Sequence, residues 1–97
     1  MVHNQYDPNR PVPDPTDNHS TQIGRSGSLP AKNGPSNGSI DIYDEQANLL
    51  QRRFFDELGN ALLDVDFIHS NGDGTHEFPH FHDWDWTQNP PRSKWRL

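Results

Sequence analysis

Four of the six histidines of this chain, together with five aspartates and two tryptophans, lie between Asp64 and Trp86. The segment runs Asp64-Val65-Asp66-Phe67-Ile68-His69, then Thr75-His76-Glu77-Phe78-Pro79-His80-Phe81-His82-Asp83-Trp84-Asp85-Trp86 after a glycine-rich turn at Gly72-Asp73-Gly74. Imidazole is the side chain whose ordinary pKa lies near neutrality, so two of them can act as base and acid within one reaction cycle. In an extended chain His76, His80 and His82 project to one face, because alternate residues point the same way. Cleavage of RNA by its own 2′-hydroxyl needs such a pair and a cation or amide facing the phosphorane, and Arg52, Arg53, Lys94 and Thr75 are candidates for that part. His76 and His80 are the expected acid–base pair, with Arg53 and Thr75 assisting and His82 and Asp66 orienting; this route requires no cofactor.

A metal-dependent route stays open beside it. Asp66, His69, His80 and His82 offer the histidines and carboxylate of a zinc or other divalent site, and a bound ion would activate water toward the same phosphodiester. No standard metal-motif spacing is present. The structural alternative is that the histidines cap aromatics and satisfy backbone groups, while Asp64 and Asp66 pair across strands with Arg52 or Arg53. Phe78, Phe81, Trp84 and Trp86 are expected to build the core rather than stack bases.

What must position these residues is small. The chain has 97 residues, of which 29% are hydrophobic, so it holds one domain with a limited core. It has no cysteine, which excludes disulfides, thiolate metal sites and a thiol nucleophile. No apolar run is long enough to span a bilayer, and the first thirty residues lack the apolar core of a signal peptide. A net charge of -6 argues against a general nucleic-acid coat protein, and leaves Arg52-Arg53 and the tail from Arg92 to Arg96 as the only concentrated positive charge.

Residues 1–38 read as a disordered linker rich in Pro, Gly, Ser and Asn, without apolar periodicity. Residues 39–97 read as the compact domain. Within it Tyr43-Asp44-Glu45 recurs twelve residues later as Phe55-Asp56-Glu57, and Asn48 as Asn60. The repeat predicts an antiparallel meander with strands near 39–43, 49–55 and 61–68, in which Ala61, Leu63, Val65 and Phe67 share one face and Leu62, Asp64, Asp66 and Ile68 the other. A helix through Leu50, Phe54, Leu58 and Leu62 is the competing arrangement.

From Ser39 onward, the motifs Ile-Asp-Ile-Tyr-Asp, Arg52-Arg53-Phe54-Phe55-Asp56, Asp64-Val65-Asp66-Phe67 and Gly74-Thr75-His76-Glu77-Phe78-Pro79-His80-Phe81-His82-Asp83-Trp84 resemble the C-terminal toxin domains of bacterial polymorphic toxins, the modules that follow YD-repeat or contact-dependent inhibition proteins. The resemblance covers residues 38–86 and matches His69, His76, His80 and His82 to a histidine-rich motif. It implies a β-rich α+β fold and an effector with nuclease activity, acting on RNA. It further implies a larger delivery protein ahead of the linker, release into a target-cell cytoplasm, and a cognate immunity protein. The rival from a different class is a non-enzymatic module whose acidic and aromatic surface docks a partner protein.

Overall fold

The computed structural model describes residues 5–6, 9–25, 27–68 and 77–97. Seven strands are formed: β1 (Gln5–Tyr6), β2 (His19–Ile23), β3 (Ser39–Tyr43), β4 (Leu49–Phe55), β5 (Ala61–Asp66), β6 (Glu77–Phe78) and β7 (His80–Asp83). Five of them make one sheet in the order β2-β3-β4-β5-β7, and β1 pairs with β6 in a separate two-stranded ribbon. The β3-β4-β5-β7 pairings are antiparallel and β2 joins β3 in parallel, so the sheet is mixed.

The expected α+β class is corrected: among the described residues there is no helix, and the domain is all-β. The four-residue spacing from Leu50 to Leu62 does not mark a helical stripe. A shift in register between Ile42 and Tyr43 turns Leu50 toward Ile40 and Ile42, whereas Phe54 packs on the opposite side with Val65, Phe67 and Phe81. Leu58 and Leu62 stand outward in turn and bulge positions. Tight turns decide the matter locally, since each breaks a helix and reverses the chain.

Those turns explain the twelve-residue repeat. In the first, the Asp44 carboxylate accepts from the backbone N–H of Gln46 and of Asn48, both at 2.9 Å. In the second, the Asp56 carboxylate accepts from Leu58 and Asn60 at the same distance. In each turn the Asp backbone N–H donates to the Asn carbonyl, and the left-handed residue one before the Asn donates to the Asp carbonyl: Ala47 at φ 65° and Gly59 at φ 78°. At Gly59 a side chain would also meet the Gly34 carbonyl at 2.5 Å, because Gly34 donates to the Gly59 carbonyl across this point.

Apolar residues cover both faces of the sheet. Leu29, Ile40, Ile42, Leu50 and Phe55 form one cluster, with Ile68 against it; Phe54, Val65, Phe67 and Phe81 form the other, with Val12, Leu49 and Leu63 against it. Val12 and Leu29 come from the stretch expected to be linker, which also supplies the edge strand β2. Beside these two apolar contacts, the stretch is tied on by polar bonds: Arg52 donates to the Pro13 carbonyl, Arg53 to the Leu29 carbonyl and Arg10 to the Pro79 carbonyl. At the opposite edge the tail runs beside β7, with Phe81 and Arg96 exchanging both backbone hydrogen bonds. No helix among the described residues is long and apolar enough to cross a membrane.

The matched turns give a paired prediction. Gly59→Ala should destabilise the fold by about 1–3 kcal/mol, because it combines a left-handed φ with a backbone collision. Ala47→Gly at the equivalent open position should be neutral or stabilising by up to ~1 kcal/mol, because it relieves the left-handed strain. Urea unfolding of both variants checks this; equal effects would break the equivalence of the two turns.

Candidate functional site

The chemistry-bearing residues meet on one face because of strand register. Gln51 on β4 lies opposite Asp66 on β5, and Asp66 lies opposite His80 on β7. One step along, Arg53 lies opposite Asp64, and Asp64 opposite His82. Opposed residues share a face and alternate residues repeat it, so six polar side chains form two rows of three. All six are buried, Asp64 and His80 completely.

The inner row is an ion-pair network. Arg53 grips Asp64 through Nε at 2.6 Å and Nη2 at 2.9 Å, donates its third nitrogen to the Leu29 and Pro30 carbonyls, and lies over the Trp84 ring. Arg92, reaching in from the tail, donates Nε to Asp64 at 2.7 Å and places Nη2 3.3 Å from the Asp66 Oδ2. Two buried carboxylates therefore face two guanidiniums. Charges removed from water are tolerated only when they are paired and hydrogen-bonded in this way.

The second row, joined by His82 from the first, converges on one oxygen. Asp66 Oδ2 lies 3.3 Å from the Nε2 of His80 and 3.3 Å from the Nε2 of His82, while its other oxygen accepts from the Gln51 amide at 2.9 Å. Burial by itself would raise the Asp66 carboxyl, but its contacts with His80 and His82, the Arg92 charge and the Gln51 amide outweigh it and hold this group well below the usual carboxylate range. His80 is enclosed by the Phe78 and Trp95 rings, at centroid distances of 4.6 and 5.3 Å. His82 lies 2.8 Å through Nδ1 from the Ser93 carbonyl; a carbonyl only accepts, so Nδ1 carries the proton and Nε2 is the nitrogen turned to Asp66.

Of the residues expected to do chemistry, Asp66, His80 and His82 come together. Arg53 belongs to the same array, but it is 3% exposed and its donors engage Asp64 and two backbone carbonyls, so it holds the network and does not face a substrate. Arg52 lies on the other face, paired with Asp41 beside His19. His69, Thr75 and His76 lie outside the described residues. Sequence reasoning missed Gln51 and the inward role of Arg92, which it read only as part of the basic tail. One signal was present: two aspartates at alternate strand positions need two cations, and Arg53 can answer only one. Phe78 and Phe81 are core as expected, whereas Trp84 and Trp86 stack on each other at the border of the array, Trp86 38% exposed.

The site defines an all-β domain with a buried Arg-Asp-His array that opens at His82 and Arg92, whose side chains are 11% and 32% exposed. No family model matches the chain, and neither a curated protein nor a solved structure matches it significantly.

The depressed Asp66 carboxyl makes stability depend on acid pH. Below its ordinary value of 3.8 the unfolded chain binds a proton there that the folded chain refuses, so the stabilisation is present above that value and is lost as pH falls further. Melting temperatures between pH 5 and pH 2 should fall for the wild type and fall less steeply for Asp66→Asn; identical slopes would assign the acid limb to other carboxylates.

Proposed function

We propose that the chain is a nuclease effector that cleaves RNA phosphodiesters at the Asp66, His80 and His82 cluster. The observation that carries this is the position of Arg92: a half-buried guanidinium beside the cluster, at the side that reaches solvent, where a phosphate would lie against both. A guanidinium matches phosphate oxygens in shape and charge. Behind it stand the imidazole and carboxylate groups that phosphodiester cleavage requires, held on a rigid sheet rather than on loops. The similarity of the motifs around these residues to polymorphic toxin domains supports the same reading, and with it a delivery protein, a cognate immunity protein and action in the cytoplasm of a target cell.

The proposal changes the expected division of labour. His82, at the opening, is the histidine that meets the substrate, and Arg92 takes the place first expected of Arg53 as the phosphate cation. His80 lies one layer deeper, against Asp66. Both Nε2 atoms turn inward toward Asp66, so a substrate oxygen enters between His82 and Arg92 rather than lying across the ring faces.

The test uses end-labelled RNA and single-stranded DNA with the purified wild type, His82→Gln and Arg92→Gln. His82→Gln should lower the rate at least ~100-fold, the ordinary loss on removing an acid–base or activating group, while circular dichroism stays unchanged. Arg92→Gln should raise KM more than it lowers kcat. An inert wild type on both polymers, or a His82→Gln enzyme as fast as wild type, would remove the nuclease reading.

A further inference from the structure

We infer that Asp66, His80 and His82 are three ligands of a divalent transition-metal site of the zinc type. Their donor atoms all lie within 4.8 Å of one another, and each is delivered by the sheet: the two histidines by alternation along β7, the aspartate by its place opposite His80 on β5. The site deepens the nuclease reading by naming the group that would activate water there, but the binding argument stands on the cluster's own geometry.

The distances carry it first. A charge-assisted N–H to carboxylate bond runs about 2.7–2.9 Å. Both Nε2 atoms instead stand 3.3 Å from the same Asp66 oxygen. A tetrahedral ion with bonds of about 2.0–2.1 Å separates its ligand atoms by ~3.3–3.4 Å along each edge. Two of the three edges thus have the length such an ion imposes, and the third, between the two histidine nitrogens, lies within 4.8 Å.

The tautomer carries it second. With Nδ1 of His82 turned to the Ser93 carbonyl, Nε2 is the nitrogen directed at the Asp66 carboxylate and the one placed to ligate an ion. The backbone carbonyl on the far nitrogen is also the usual support of a metal-bound histidine, and the Gln51 amide fixes the carboxylate by its other oxygen, leaving Oδ2 toward the histidines.

Two imidazoles and one carboxylate, in a chain without cysteine, select zinc or a neighbouring ion over magnesium and calcium, which prefer oxygen ligands throughout. Three protein ligands leave a fourth position for water, the arrangement of catalytic rather than structural zinc. Arg92 does not block it. Its firm bond is to Asp64 at 2.7 Å, and its Nη2 contacts with Asp66, at 3.3 and 3.5 Å, are long enough to yield to an ion while the guanidinium remains beside the open position. There it would hold the phosphate whose oxygen the ion polarises.

The experiment is direct binding with the full chain, stripped with chelator and dialysed. Calorimetric titration with zinc, and titration with cobalt(II) followed by the visible absorption of a tetrahedral cobalt centre, should give one ion per chain. His82→Gln and Asp66→Asn should each weaken binding more than ~100-fold, beyond the loss typical of a supporting residue, and His19→Gln, on the opposite face of the sheet, should not. Zinc bound as tightly by His82→Gln as by wild type, or a cobalt spectrum without tetrahedral bands, would overturn the site. Failure of the two proposals is separable: an ion bound by a chain that cuts no nucleic acid retains the metal site alone, whereas cleavage by a chain that binds no ion overturns the metal site and leaves the nuclease.

Discussion

Two carboxylates buried side by side on one strand impose the constraint on which the rest of this fold depends. Asp64 and Asp66 are essentially without solvent contact. An unpaired buried charge costs several kcal/mol, a large part of the stability of a domain this size. The structure meets the cost with Arg53 from the neighbouring strand and Arg92 from the tail. Because side chains alternate along a strand, this pairing fixes the register of β4, β5 and β7, and a one-residue slip would point every member of the array to the wrong face.

The same constraint recruits the segments that lack apolar patterns of their own. The guanidinium of Arg53 has donors left over after Asp64, and the backbone carbonyls of Leu29 and Pro30 accept them. The guanidinium of Arg52 does the same with Pro13 on the other face. A proline-rich stretch has carbonyls to offer and few N–H groups to satisfy, which suits it to cover buried arginines. The described residues of the N-terminal stretch thereby pack against the sheet, although their composition reads as linker.

The network also shapes the chemistry. Holding His80 and His82 against Asp66 with one shared oxygen gives rigid placement, and rigid placement is what a catalytic or metal-binding constellation requires. Its consequence is that the histidines face inward. Among the described residues of the array, His82 and Arg92 are the ones that meet solvent, so a group that enters there passes beside a guanidinium, as a phosphate would. Trp84 and Trp86, stacked on each other with Arg53 and Lys32 against their rings, border the array.

Much of the strand plan was determined by the sequence. The twelve-residue repeat marks two equivalent aspartate turns, and such turns act locally, through a carboxylate reaching N–H groups two and four residues on, so they can be read from neighbouring letters. The facing of Asp64 with Asp66, and of His80 with His82, follows from period two alone. Tertiary structure decided the rest. That β2 adds in parallel, that the domain has no described helix, and that Arg53 turns inward while Arg92 guards the opening all depend on pairings between residues 11 to 39 positions apart. Such pairings are set by which buried charge must meet which, and a desolvation cost has no periodicity along the chain by which it could be seen in advance.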